Sequence, residues 1–147
     1  MPILKKLKQH KILLDTHVWI WLMTGDDRLG KSFRKTIMED TDKELILVSA
    51  ISVWELGMLV EKKRIELEMD CLDWAMQALK TPGINLVPLT PSIAVLSTRL
   101  PQNPHGDPAD RILIASAYEN HAVLVTHDQK LIDFGKSKFI NVHDPCS

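Results

Sequence analysis

The chain has 147 residues, of which 45% are hydrophobic and 25% charged, and its formal net charge is −1. This composition is typical of a folded globular protein and argues against a disordered chain or a protein that coats nucleic acid with a broadly basic surface. Because no apolar run approaches the roughly 18 residues of a membrane span, and the N-terminus lacks the pattern of a secretory signal, we expect a cytoplasmic protein with no membrane segment.

Strand-like and helix-like patterns alternate along the whole chain. In chain order they are strand 11–15, helices 16–25 and 26–40, strand 44–49, helices 50–67 and 70–83, strand 84–89, helices 91–100 and 107–121, strand 122–126, helix 128–135 and strand 138–142. Continuous runs of Ile, Leu and Val are typical of parallel strands buried on both faces. The pattern therefore predicts an α/β fold, a three-layer α/β/α sandwich with a mainly parallel central sheet. We expect one domain over residues 1–147, with a basic N-terminal extension at 1–10.

Four tryptophans lie in the predicted helices. The first half of helix 50–67 is apolar nearly all round, so we expect it to be buried. The tryptophans are interpreted as core or partly buried packing, with apolar helix surface near Trp19, Trp21 and Trp54 as a candidate partner groove.

Acidic residues follow the predicted strands with unusual regularity. Asp15 ends the first strand, Glu55 lies in the first turn after the second, and Asp128 follows strand 122–126. Asp107 and Asp110 open the helix that leads into that strand. Because the carboxyl ends of parallel strands meet at one edge of a sheet, we expect these acids to gather there.

Each acid also has a local explanation as a helix cap. Asp15 and Asp107 stand where helices begin, and Pro108 suits the first helical position. Two pairs fit capping boxes, Ser52 with Glu55 and Thr126 with Gln129. Capping alone does not require carboxylates, however, because Ser, Thr and Asn cap as well as Asp.

Four clustered carboxylates repel by roughly 4 kcal/mol per pair at 4 Å. Such a cluster needs a cation, and an oxygen-only ligand set favours Mg²⁺ or Mn²⁺.

Three other sequence features are weaker evidence for a functional site. The stretch 25–32, GDDRLGKS, matches a phosphate-binding loop, but it follows a predicted helix instead of a buried strand. The two cysteines, Cys71 and Cys146, have no metal-ligand spacing and are interpreted as free thiols. Three histidines that flank acids, at positions 17, 105 and 127, are candidates for substrate contact, although solvated histidines are more common.

Four stretches in this order carry a family resemblance: LLDTHVWIWLMTGDDRLGKS, VSAISVWELGMLVEKKRI, HGDPADRILIASA and LVTHDQKLIDFG. They resemble PIN-domain ribonucleases, especially VapC-type toxins of bacterial toxin-antitoxin pairs, from about Ile12 to Val142. The resemblance implies catalytic and metal-binding roles for Asp15, Glu55, Asp110 and Asp128, with Asp107 as a fifth candidate that also fits a helix cap.

The function that the resemblance implies is hydrolysis of RNA phosphodiester bonds by a ribonuclease that depends on Mg²⁺ or Mn²⁺. Thr126 and Ser52 are candidates for orienting metal-bound water. The resemblance further suggests a homodimer and a cognate antitoxin protein.

Two other functions stay open. A catalytically silent binding domain of the same fold is one, and the complete acid set argues against it. A phosphotransfer enzyme with Asp15 as nucleophile is the other, but the sequence Asp-Thr-His lacks the second aspartate that such enzymes usually carry two residues later.

Overall fold

A computed structural model describes residues 10–39, 46–104 and 106–146 of the chain. Residues 1–9 of the expected N-terminal extension, residues 44 and 45 of the expected second strand, and His105 lie outside the described residues.

The described residues form a five-stranded sheet whose neighbouring strands all pair in parallel. The strands are β1 (Ile12–Leu14), β2 (Ile46–Ser49), β3 (Ile84–Val87), β4 (Val123–Val125) and β5 (Val142–His143), and their order across the sheet is β3-β2-β1-β4-β5. The strand order reverses at the centre, between β1 and β4. In open parallel sheets this reversal leaves a crevice outside the carboxyl ends of the two strands.

Helices cover both faces of the sheet. They are α1 (Thr16–Thr24), α2 (Lys31–Met38), α3 (Ala50–Glu61), α4 (Cys71–Leu79), α5 (Pro91–Thr98), α6 (Pro108–Glu119) and α7 (Gln129–Gly135). Alternate residues of a strand point to opposite faces. Accordingly, Ile12 and Leu14 pack in one apolar core with residues of α1 to α4, whereas Leu13 packs in a second core with residues of α5, α6 and α7. The predicted three-layer α/β/α fold is confirmed.

Helix α3 is shorter than the predicted helix 50–67 and ends at Glu61. Lys63 adopts a left-handed φ of 56°, and its backbone N–H donates to the Val60 carbonyl. The Arg64 N–H donates to the Leu59 carbonyl at 2.9 Å. These two bonds form a Schellman motif, which usually has glycine at the left-handed position. The prediction was wrong here because a lysine occupies that position.

The last strand also differs from its prediction. The expected strand 138–142 is observed as Val142–His143, which pairs with β4 at Leu124 and Val125. Lys138 has a left-handed φ of 64°, which is incompatible with a strand. The apolar side chains of Phe139 and Ile140 instead pack in the core beside α6 and α7.

The tryptophans divide between core and surface. Trp19 is fully buried and contacts Trp74 edge to face, with the ring centroids 5.4 Å apart. Trp54 is 59% exposed, so the expectation that the first half of α3 is buried was wrong at this position.

In the described part of the chain, no helix has both the length and the apolar character that crossing a lipid bilayer requires.

Candidate metal centre

Asp15 lies directly after β1 at the centre of the sheet. Its backbone N–H donates to the Val125 carbonyl at 2.9 Å, so the pairing of β1 with β4 continues to this residue. Its side chain is buried and makes no capping hydrogen bond to α1. The Thr126 hydroxyl instead donates to Asp15 Oδ2 at 2.5 Å. The alternative that the Asp15 carboxylate caps α1 is therefore wrong.

Thr126 is fully buried and links two acidic residues. In addition to its bond with Asp15, its hydroxyl oxygen accepts a hydrogen bond from the Asp128 backbone N–H at 3.0 Å. The N-cap of α7 is Asp128, whose side chain accepts from the Lys130 N–H at 2.8 Å. The expected capping box of Thr126 with Gln129 is thus wrong, because the helix begins two residues later than that motif requires.

Glu55 reaches the same region from α3. Thr16, the first residue of α1, donates from its hydroxyl to Glu55 Oε1 at 2.5 Å. The hydroxyl oxygen of Thr16 also lies 2.8 Å from Ser52 Oγ. Ser52 is fully buried within α3, and Ser49 is the N-cap of that helix. The expected capping box of Ser52 with Glu55 is therefore wrong. Ser52 supports Glu55 through Thr16 instead.

The N-terminus of α6 contributes the remaining two acids. Asp107 caps the helix by accepting hydrogen bonds from the Ala109 and Asp110 N–H groups at 2.9 and 3.3 Å. Pro108 occupies the first helical position, as predicted. Asp110 lies in the first turn of the helix. The cap fixes where this turn begins and so positions the Asp110 side chain.

All five predicted acidic residues line one cleft at the carboxyl ends of β1 and β4. The cleft has a volume of about 320 Å³, and the residues lining it are Asp15, His17, Trp21, Glu55, Asp107, Asp110, His127, Asp128 and Lys130. We call the five acids the acidic cluster. Thr126 contacts the cluster directly, whereas Ser52 lies one residue behind it. His17 and His127 line the cleft, as considered from the sequence.

Sequence reasoning missed two residues of this region. Thr16 had a signal, since it directly follows Asp15 and its hydroxyl could face the same edge of the sheet. Lys130 had a weaker signal: it lies two residues after Asp128, in the first turn of α7. Lysine is so common on helix surfaces that its place in the cleft is visible only in the tertiary structure.

Burial and mutual repulsion raise the pKa of two of the carboxyl groups. Burial is the main reason that the Asp15 pKa lies above its ordinary value, and Asp128 raises it further, whereas the bond from Thr126 and the nearby His17 lower it. Burial also raises the pKa of Glu55 to about 7, with contributions from the charges of Asp15, Asp110 and Asp107, against the lowering effect of the Thr16 bond. The cleft therefore disfavours the negative charges it contains unless a positive charge joins them.

The donor set of this cleft fits a hard divalent cation. The acidic cluster offers carboxylate oxygens alone, and hard cations such as Mg²⁺ bind oxygen ligands. A cation would also offset the repulsion that raises the Glu55 pKa. The residues present thus fit the metal that the resemblance implied.

Comparison with known proteins identifies the family of this chain. The family model of the PIN domain matches residues 12–137. Ribonuclease VapC22 of Mycobacterium tuberculosis is 38% identical over 120 residues, which cover 82% of this chain and 88% of that protein. The chain belongs to the VapC-type PIN-domain ribonucleases.

The stretch 25–32 of this PIN domain follows helix α1 and has Gly25 as the left-handed C-cap of that helix, as expected for a segment that is not a phosphate-binding loop.

Solved structures share the fold of this PIN domain at low sequence identity. VapBC2 from Rickettsia felis, bound to a DNA fragment from its promoter, has a TM-score of 0.67 and 14% identity, covering 90% of this chain and 96% of that one. DNA-bound VapBC from Salmonella typhimurium has a TM-score of 0.65 and 17% identity, covering 93% and 99%. A toxin-antitoxin complex from Klebsiella pneumoniae has a TM-score of 0.60 and 23% identity, covering 91% and 97%.

Proposed function

We propose that this endoribonuclease, the toxin of a toxin-antitoxin pair, hydrolyses RNA phosphodiester bonds with Mg²⁺ or Mn²⁺ held by its acidic cluster. The observation that carries the proposal is that four elements, β1, α3, α6 and the turn before α7, bring five carboxylates to one cleft. Asp15, Glu55, Asp110 and Asp128 would hold the metal, and Asp107 would cap α6 and offer a further oxygen. When bound, such a metal lowers the pKa of its water and offsets negative charge on the phosphate.

The contribution of the protein itself is to fix and desolvate the carboxylates. Thr126 orients Asp15 through the hydrogen bond to Oδ2 and fixes the backbone at Asp128. Thr16, backed by Ser52, orients Glu55 in the same way. Because these hydroxyls are buried, their hydrogen bonds do not compete with water, and the carboxylates are held in place before any cation binds.

The rim of the cleft supplies groups that suit an RNA phosphate. Lys130 places an amino group beside the acidic cluster, and His17 and His127 offer ring nitrogens that can donate hydrogen bonds. A polyanion approaching five carboxylates is repelled unless such groups and a metal offset the charge. We assign Lys130 the role of contacting the RNA backbone at this cleft.

Partner binding follows from the family and from apolar side chains at the surface. The solved relatives include toxin-antitoxin complexes. In this chain α3 and α4 pack on each other and expose Trp54, Leu72 and Met76, which are 59%, 65% and 49% exposed. We propose that a cognate antitoxin covers this apolar surface and that the protein is a homodimer. Light scattering coupled to gel filtration would give a monomer mass if the second statement is wrong.

The central test is the substitution Asp110→Asn. Asparagine preserves the size of the side chain but removes the anionic ligand, so we expect RNA cleavage to collapse. The free energy of unfolding of the metal-free protein should change by less than roughly 1 kcal/mol, because asparagine keeps the side-chain shape and the favourable first-turn charge that is lost is offset by relief of repulsion within the cluster. Cleavage by the parent protein should stop in EDTA and return with Mg²⁺ or Mn²⁺.

The matched control is Asp70→Asn. Asp70 is the N-cap of α4, with its side chain accepting from the Asp73 N–H, and it does not line the cleft. This variant should cleave RNA like the parent. Full activity of Asp110→Asn, or cleavage that persists in EDTA, would refute the metal mechanism. Failure of the folded parent to cleave any RNA with either metal would favour a silent binding domain.

A further inference from the structure

A second group of potential metal ligands lies beside the acidic cluster and differs from it in chemistry. His127, Asp144 and Cys146 each offer one ligand atom, and these three atoms all lie within 4.8 Å of one another. The group combines a ring nitrogen, a carboxylate oxygen and a sulfur. We call it the His-Asp-Cys cluster.

The pairing of β4 with β5 brings this cluster together. The two strands are parallel, with Leu124 opposite Val142 and Val125 opposite His143. The Thr126 N–H continues the ladder by donating to the His143 carbonyl at 3.0 Å. The residues that follow the two strands, His127 after β4 and residues 144–146 after β5, therefore leave the sheet side by side. The approach of His127 to the other two residues depends on this register, whereas Asp144 and Cys146 are two residues apart in the sequence.

Local hydrogen bonds hold the three side chains in place. His127 Nδ1 lies 3.0 Å from Asp144 Oδ1, and the same carboxylate oxygen accepts from the Cys146 backbone N–H at 2.9 Å. The Cys146 thiol donates to the Arg28 carbonyl at 3.2 Å. This bond holds the thiol beside the Arg28 carbonyl, and Cys146 and His127 both remain exposed to solvent. An ion can therefore reach the cluster without a rearrangement of the fold.

We propose that the His-Asp-Cys cluster binds Zn²⁺, with one ligand atom from each residue and water as the fourth ligand. A thiolate, an imidazole and a carboxylate are all ligands of Zn²⁺, and three protein ligands with an open fourth position are a common arrangement. Sulfur and nitrogen ligands favour Zn²⁺ over Mg²⁺, so the two clusters select different metals. On binding, the Cys146 thiol gives its proton to solvent and its sulfur contacts the metal in place of the Arg28 carbonyl.

Zn²⁺ at this position would tie the turn after β5 to the rim of the catalytic cleft. His127 belongs both to the His-Asp-Cys cluster and to the lining of the cleft, and the next residue is Asp128. Binding would thus fix an imidazole that lines the cleft. The site goes beyond the proposed nuclease activity and does not depend on it.

The test is titration of the metal-free protein with Co²⁺, a spectroscopic substitute for Zn²⁺, in the presence of excess Mg²⁺. Only a thiolate ligand produces sulfur-to-cobalt charge-transfer absorption, so binding to the carboxylates of the acidic cluster does not contribute to the signal. We expect this absorption to saturate at one Co²⁺ per chain and to be displaced by Zn²⁺. Absence of charge-transfer absorption in the parent protein would overturn the proposal.

Cysteine variants decide which residue supplies the sulfur. Cys146→Ser should abolish the absorption. It should also weaken Zn²⁺ binding by more than about 100-fold, because loss of a residue that only hydrogen-bonds to a metal ligand already weakens binding by about 10- to 100-fold. Cys71→Ser is the matched control, because Cys71 lies on α4 and does not belong to the cluster, and it should keep the full signal. Asp144→Asn should weaken Zn²⁺ binding with the thiolate signal still present. Retention of the signal in Cys146→Ser, or its loss in Cys71→Ser, would refute the assignment.

Discussion

At the scale of single residues, the buried hydroxyl of Thr126 does more than fill space at the end of β4. It donates to Asp15 and accepts from the backbone of Asp128, so one oxygen fixes two members of the acidic cluster. A hydroxyl is suited to this because it donates one hydrogen bond and accepts others at the same atom. The positions of Asp15 and Asp128 thus depend on a neutral side chain that lies behind the carboxylates.

This dependence predicts the effect of Thr126→Val. Valine matches the shape but leaves Asp15 Oδ2 and the Asp128 N–H without this partner, at a cost of about 1–3 kcal/mol in the free energy of unfolding. We expect RNA cleavage to fall and the Mg²⁺ concentration for half-maximal cleavage to rise. Thr126→Ser keeps the hydroxyl and should restore both. Equal activity of the valine and serine variants in cleavage assays would contradict the role given to this oxygen.

A second prediction at this scale concerns pH and Glu55. Its pKa is raised from 4.5 to about 7 in the folded protein, so the folded state binds more protons than the unfolded state between these values. The metal-free protein should therefore be more stable below this range and lose stability as pH rises through about 7. Mg²⁺ needs the ionised carboxylates, so it should raise the melting temperature more at about pH 8 than at about pH 5.5.

Thermal melts in EDTA and in Mg²⁺ at the two pH values would test this expectation. The matched variant is Glu55→Gln, which has no titrating group at this position. Its metal-free form should show a weaker fall in stability with pH than the parent. A parent protein that becomes more stable in EDTA as pH rises through this range would contradict the assigned sign.

At the scale of elements, the contact between α7 and β5 is tight enough to require glycine. A methyl group added at Gly135, the last residue of α7, would lie 2.8 Å from Val142 Cγ2 and 2.9 Å from Val142 Cβ. The first atom belongs to a short branched side chain and the second lies next to the backbone, so the strand itself would have to shift. Two residues of the His-Asp-Cys cluster, Asp144 and Cys146, follow this strand.

Gly135→Ala should accordingly destabilise the protein by about 1–3 kcal/mol, the usual cost of overpacking. Gly57→Ala is the matched substitution, because Gly57 lies inside α3 and a methyl group there meets no atom within 4 Å. That variant should gain roughly 0.5–1 kcal/mol, since glycine disfavours a helix interior relative to alanine. Urea unfolding of both variants gives the comparison, and a stabilised Gly135→Ala would show that β5 can move freely.

At the scale of the whole molecule, the chain combines an acidic cleft with exposed apolar side chains on α3 and α4. These are the two properties needed by a nuclease that a partner protein holds in check. Trp54 is the largest of the exposed apolar side chains, and large aromatic residues dominate the binding energy of many interfaces. If the proposed assignments are correct, catalysis and partner binding involve different residues, and we expect mutation to separate them.

Expression of the intact protein alone should arrest bacterial growth, and co-expression of the cognate antitoxin should relieve the arrest. Asp110→Asn should be harmless but still bind the antitoxin, because the substitution leaves the exposed apolar side chains of α3 and α4 unchanged. Trp54→Ala should remain toxic and be relieved less well. Growth curves and co-purification measure these outcomes, and harmless high-level expression of the folded, metal-competent parent would count against a toxin.

The three-layer fold and the acids of the cleft could be predicted from the amino-acid sequence. Both follow from patterns that act locally: runs of Ile, Leu and Val such as Ile12–Leu14 are buried in a parallel sheet, and acids that follow parallel strands, such as Asp15, emerge at one edge. Contacts between distant segments could not be predicted in this way and are visible only in the three-dimensional structure. Examples are the bonds of Thr16 to Glu55 and of Thr126 to Asp15, across 39 and 111 residues.

The end of α3 and the His-Asp-Cys cluster are two further features that the amino-acid sequence did not predict. Lys63 takes a left-handed conformation that no local signal marks, because the bonds of its Schellman motif compensate for the strain. Asp144 and Cys146 lie two residues apart, and strand register brings His127, from 17 residues before Asp144, close enough that the three ligand atoms lie within 4.8 Å of one another. Sequence patterns report what each segment buries, whereas register and close packing decide which side chains meet.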